Sequence, residues 1–193
     1  MFVEHLGLRK APAYAVLMAL LVTLSGCPLS PDSDDGDEPP TETRAPERTT
    51  ILGAIDLMRW AWANKNADQL DQVLHDEYEY FPIADDEFPW IPQDGWNKTI
   101  EMAIARNMFD PSFISEDTGE NVDTIEMIFN ILNQRPVSDF PNAIEVTADM
   151  DATVLWAQGD GATSDVRMVF IVVPDPDEPG LFQIIRQDEQ DPV

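Results

Sequence analysis

Apolar positions change their spacing twice along this chain. From Ile51 to Asn64 they recur every third or fourth residue. Ile51, Ile55, Met58 and Trp62 form one stripe, with Ala54 and Ala61 beside it. That period predicts an amphipathic helix, and Thr49 and Thr50 stand where a capping hydroxyl is needed. Asn64, Lys65 and Asn66 interrupt the stripe, and residues 68–75 then predict a short second helix holding Leu70, Val73 and Leu74. Tyr78, Glu79 and Tyr80 alternate as a strand does, and Pro82 ends it. After a Pro-rich loop, Asp94 is placed to cap a third helix. Its stripe is Trp96, Ile100, Ile104 and Met108, with Ala103 filling it.

Beyond residue 124 the period falls to two. Ile125, Met127, Phe129 and Ile131 alternate over one strand. Ile144, Val146, Ala148, Met150, Ala152, Val154 and Trp156 alternate over another, against Glu145, Thr147, Asp149, Asp151 and Thr153. Such a run has one dry and one wet face. Gly159-Asp160-Gly161 signals a hairpin, and the chain returns through residues 166–173. The Pro-rich stretch 174–180 turns again into a last strand from Leu181. The order predicts an α+β fold: three N-terminal helices packed on a strongly curved, mainly antiparallel sheet, cone-shaped.

The first residues follow neither pattern. Arg9 and Lys10 precede an apolar run from Ala11 to Leu24, about 14 residues, too short for a spanning helix and suited to a signal peptide. It closes in Leu24-Ser25-Gly26-Cys27, which resembles a bacterial lipobox. Residues 1–26 are therefore expected to be a lipoprotein signal peptide, with Cys27 the lipid attachment site carrying diacylglyceryl and palmitate chains. Residues 27–49 are expected to be a disordered acidic, Pro-rich tether, and 50–193 the folded domain. The expected location is the bacterial cell envelope, exported and lipid-anchored, in the outer membrane if the host has one.

Charge narrows the partners. The 193 residues carry a formal −26, from 37 acids and 11 bases. A polyanion is repelled from such a surface, so no nucleic acid is expected. One Cys excludes internal disulfides and Cys-rich zinc sites. The acidic turns Asp85-Asp86-Glu87 and Asp175-Pro176-Asp177-Glu178 carry oxygen ligands for calcium but read better as solvated turns. No metal site and no cofactor are expected.

The order of elements resembles the nuclear transport factor 2-like superfamily, the cone fold of ketosteroid isomerases and polyketide cyclases. The resemblance covers residues 51–189. It rests on the first helix with Trp60 and Trp62, the stretch from Asn66 to Tyr78, the Trp96 helix, and the closing strand from Gly180 to Asp188. As in uncharacterised bacterial lipoproteins of this kind, the resemblance implies a cavity inside the cone and dimerisation through the outer face of the sheet. It also implies a wall Trp on the last strand where this chain has Gln187.

Candidate pocket-lining residues are Tyr78, Tyr80, Trp90, Trp96, Trp156, Phe182, Arg186 and Asp188. Arg186 and Asp188 are read as sharing a face with Phe182 and Ile184 and forming an ion pair at the rim. In related isomerases and cyclases an acid inside the cone abstracts a proton. Here Asp149, Asp151 and Glu126 fall on the wet parity, so the base expected from the resemblance is absent. His75 is placed at the end of the second helix, where an imidazolium meets the helix dipole. No catalytic residue is assigned. Ile128, Leu132, Leu155, Val169, Ile171, Val173 and Ile185 face away from the cone and form a candidate homodimer face. The expected function is a membrane-anchored, non-catalytic domain that binds a small molecule or an envelope protein, or serves in assembly. The alternative is a small-molecule isomerase, lyase or hydrolase using the cone cavity, for which a buried ionisable group would speak.

Overall fold

A computed structural model of the chain describes residues 44–83, 94–115, 118–138 and 140–191. The expected signal segment 1–26, Cys27, the expected tether up to residue 43, the Asp85-Asp86-Glu87 stretch and Trp90 lie outside the described residues.

Helix α1 (Ile51–Ala63) starts where Thr50 Oγ1 accepts the amide of Gly53 at 2.9 Å. Its stripe of Ala54, Ile55, Leu57, Met58, Ala61 and Trp62 is buried, each large side chain contributing about 1.5–3 kcal/mol. Helix α2 (Ala67–Val73) is capped by Asn66, whose side-chain oxygen accepts from the Gln69 amide at 3.0 Å. The chain becomes extended at Leu74, which pairs with Ile184, so α2 ends before His75. His75 therefore sits in β1 (Leu74–Phe81), where its Nδ1 accepts the Glu77 amide at 3.0 Å. The helix-end role expected for it does not hold.

The third helix also begins later than its apolar spacing suggests. Trp96 and Asn97 form β2 (Trp96–Asn97), paired with β1. Gly95 leads into it at φ 76, and a Cβ there would lie 2.2 Å from the Tyr80 carbonyl oxygen, so glycine is required. The cap of α3 (Lys98–Phe109) is Asn97, accepting from Ile100 N at 3.2 Å, and not Asp94. The helix is rotated accordingly. Glu101, Met102 and Ala105 point inward, while Ile100 and Ile104 are 45% and 37% exposed.

Four strands follow: β3 (Val122–Pro136), β4 (Ile144–Trp156), β5 (Gly161–Pro174) and β6 (Phe182–Gln190). The sheet has six strands in the order β2-β1-β6-β5-β4-β3, curved and unclosed, with β1 and β6 parallel and the other pairs antiparallel. Register shifts interrupt β3 twice and β5–β6 once, and such bulges add bend to a sheet. Helices pack on one face. Val146 and Ala148 are fully buried there and Met150 is 8% exposed, so the alternation along β4 points its dry side chains at the helices.

The opposite face carries a second, smaller cluster. Ile171, Val173 and Ile185 are buried with Ala143, and Val137 packs against them. Before α1, residues assigned to the tether are held in the fold. Arg48 is 8% exposed and hydrogen-bonds Asp175, with Glu178 at 3.1 Å, while its carbonyl accepts the Phe182 amide at 2.9 Å.

Candidate functional site

A cavity of about 210 Å³ remains between α1, α3 and the inner face of the sheet. Its walls are mostly apolar. Five of the chain's eight methionines line it: Met58 from α1, Met108 from α3, Met127 from β3, Met150 from β4 and Met168 from β5. The strand register sets three of them in a diagonal. Phe129 opposes Met150, which places Met127 one diagonal step to one side, and Ala148 opposes Met168, which places it one step to the other. Thioether side chains are flexible and polarisable, so such a wall adapts to differently shaped occupants. Half-exposed Ile104 sits in the same lining.

One end of the cavity is polar. Glu101 is 7% exposed, and its Oε2 accepts a hydrogen bond from Trp96 Nε1 at 2.6 Å. Burial pushes its carboxyl upward in pKa. The Trp96 bond opposes that shift and the nearby Glu189 charge adds to it. Tyr80 stacks on Trp96 with ring centroids 4.3 Å apart and donates its hydroxyl to Glu189. Tyr78 donates to the amide oxygen of Gln187 at 2.5 Å. Burial, with neighbouring carboxylates, holds both phenols well above their usual range, so both stay protonated. Lys98 fixes the start of α3 against β1 by donating to the Leu74 carbonyl at 2.9 Å, which helps hold Glu101 in place.

A single bulge decides which side chains of β6 reach this site. Val172 pairs with Ile184 but Ile171 pairs with Arg186, leaving Ile185 as the extra residue. Ile184 joins the main core and Ile185 the outer cluster. Beyond the bulge the parity is inverted, and Gln187 and Glu189 point in. Arg186 and Asp188 are on the outer face, so they do not share a side with Phe182 and Ile184 and do not line the cavity. They do form an ion pair, with Arg186 Nε 2.9 Å and 3.0 Å from the two Asp188 oxygens. The guanidinium lies 4.3 Å over the Phe81 ring.

Of the other residues expected at the pocket, Tyr80 and Trp96 line it. Tyr78 is outside the lining, buried and bonded to Gln187. Trp156, opposite Val122 at the end of β4, and Phe182, packed against the core, are away from the lining. Glu126, Asp149 and Asp151 face outward as their parity requires, Asp149 bonding Arg167 at 2.9 Å. The buried acid comes from the helix instead. Glu101 is the residue missed by placing the stripe on Trp96, Ile100 and Ile104. Met102, Ala105 and Phe109, spaced by three and four, carried the signal. In the turn after β5, Asp175 accepts the amides of Asp177 and Glu178 at 2.8 Å and 3.0 Å, beside Arg48, so its oxygens are engaged within the chain. Ile128 and Leu132, in the candidate dimer face, are 64% and 45% exposed.

No protein-family model matches the chain, and no curated protein sequence does. Solved structures do. A nuclear transport factor 2-like protein of unknown function in nutrient uptake from Rhodospirillum rubrum is 10% identical with a TM-score of 0.52, over 75% of this chain and 99% of that one. A conserved protein from Planctomyces limnophilus is 13% identical with a TM-score of 0.51, over 72% and 90%. A nuclear transport factor 2-like superfamily protein from Salmonella enterica is 13% identical with a TM-score of 0.50, over 74% and 89%. The fold is that of the nuclear transport factor 2-like superfamily. At such identities the likeness establishes the fold alone.

Proposed function

We propose that the domain is a receptor for a small, largely apolar molecule, held at the bacterial envelope by lipid on Cys27. The observation that carries the binding part is the methionine-walled cavity with one carboxyl at its end. Pockets of this make-up, apolar with few placed polar groups, suit small ligands. The anchor rests on the basic pair, the apolar run and the lipobox-like Leu24-Ser25-Gly26-Cys27. Among the described residues no helix is long and apolar enough to cross a membrane.

Two experiments test this reading. Small apolar molecules should raise the melting temperature of wild-type protein, and Val154→Trp, which fills the cavity from β4, should abolish that rise while leaving the fold intact by circular dichroism. Wild-type chain expressed in bacteria should incorporate labelled palmitate, and Cys27→Ser should not. Ligand-induced stabilisation that survives Val154→Trp would sink the cavity, and equal labelling of wild type and Cys27→Ser would sink the anchor.

An acid–base enzyme is the second reading, and Glu101 is the observation that favours it. A buried carboxyl with a raised pKa suits general acid or base work. Binding stands first because the phenol protons of Tyr78 and Tyr80 are already given to Gln187 and Glu189, so neither is free to stabilise an oxyanion. Turnover of any screened compound that is lost in Glu101→Gln and kept in Asp188→Asn would reverse that order. We also propose a homodimer, with either reading, through Ile128 and Leu132, because Ile171, Val173 and Ile185 are already covered within the chain. Light scattering of wild type and Ile128→Asp tests it, and a monomer in both would remove it.

A further inference from the structure

We propose that the ligand of this cavity is a hydrophobic cation, with its positive head at Glu101 beside the stacked Trp96 and Tyr80 rings and its apolar body among the methionines. This rests on the cavity-binding reading above. Glu101 is buried at the polar end of the cavity, and among the described residues no Lys or Arg is paired with it. The cations that could have served are spent elsewhere. Lys98 faces Asp71 and Asp76 at 3.4 Å and 3.2 Å, and Arg186 is bound to Asp188 on the other side of the sheet. A carboxyl is thus held in an apolar chamber, and no positive charge is supplied to it among the described residues. A ligand cation would.

The walls next to Glu101 suit the same head group. Trp96 and Tyr80 stack at 4.3 Å and both line the cavity, as do Trp62 and Phe129. Aromatic faces attract a desolvated cation through the ring quadrupole. Methionine side chains conform to an apolar body of variable shape. The formal charge of −26 also draws cations toward the molecule and repels anions.

Cation binding must then be coupled to a proton. The groups facing Glu101 are Tyr78 and Tyr80 from β1, Glu189 from β6 and the Trp96 indole from β2. On α3 itself Lys98 is turned toward Asp71 and Asp76, and Arg106 is exposed. None brings a positive charge to the carboxyl. A permanent cation therefore favours ionised Glu101 and releases its proton on binding, so affinity rises with pH until Glu101 is ionised in the free protein.

Phenyltrimethylammonium and tert-butylbenzene have the same shape and differ by one positive charge. Each is titrated into the full chain, with Trp62 and Trp96 as fluorescent reporters. The cation should bind about tenfold tighter at about pH 8, and its advantage should shrink toward about pH 5. Glu101→Gln should erase the advantage while tert-butylbenzene still binds, which also shows that the variant is folded. Equal binding of the two compounds, or an advantage retained in Glu101→Gln, overturns the cation and leaves the cavity reading standing. Binding of neither overturns both.

Discussion

Trp96 and Glu101 are joined by a hydrogen bond of 2.6 Å that ties β2 to the first turn of α3. The bond fixes the direction of the carboxyl but offers only a neutral donor to it, so burial still penalises the charged form. The sign of the stability effect follows. With the folded pKa raised above the unfolded value of about 4.3, the favourable contribution is complete below that value and is lost as pH rises through the folded pKa.

Glu101→Gln keeps an acceptor for Trp96 and removes the charge. It should stabilise the protein at neutral pH by about 1 kcal/mol, a few degrees in melting temperature for a domain of this size. Thermal melts across pH are the check. The difference between wild type and variant should close on acidification toward about pH 4.

Tyr78→Phe should cost more than the lost hydroxyl alone suggests. Gln187 is 6% exposed, and its amide oxygen would be stranded without the phenol that now donates to it at 2.5 Å. An unsatisfied buried acceptor costs about 1–3 kcal/mol, whereas replacing both partners by apolar groups is much milder. Urea denaturation should therefore find Tyr78→Phe/Gln187→Met more stable than Tyr78→Phe alone.

Arg48→Ala should be the most damaging change outside the main core. Asp175, side chain 4% exposed, would lose its cation, and breaking a buried pair from one side costs about 3–5 kcal/mol. Burial works to raise the Asp175 pKa, but the Arg48 bond and the amides of Asp177 and Glu178 hold it below the usual range. That stabilisation is present above the unfolded Asp value of about 3.9 and disappears as pH falls through the folded one. The deficit of Arg48→Ala in urea denaturation should be full at pH 7 and shrink below about pH 4.

The helix-then-strand order and the inward face of β4 were legible because long periodic runs leave little choice. Thirteen alternating residues from Ile144 to Trp156 admit one buried face, and Val146, Ala148 and Met150 occupy it. The polar end of the cavity was not legible, for two local reasons. Gly95, at φ 76, makes a tight turn that moves the start of α3 from Asp94 to Asn97 and rotates Glu101 inward. Ile185, the bulged residue of β6, inverts everything after it, so Gln187 and Glu189 replace Arg186 and Asp188 on the inner face. One residue of slip exchanges the two faces of a strand. The adjacent pair Ile184-Ile185, which breaks the alternation, was the only trace of that bulge in the sequence. His75 was misplaced for a related reason, because the pairing of Leu74 with Ile184 ends α2 before the local helix pattern does.

The central claim is an open chamber lined by a particular set of thioethers, and methyl-labelled methionine NMR tests it most directly. With benzene added to the full chain, the methyl signals of Met58, Met108, Met127, Met150 and Met168 should shift together and saturate. Met102, which is 3% exposed in the core but outside the lining, should stay in place. Shifts that involve Met102 equally, or none at the five, would contradict the chamber and the binding function built on it.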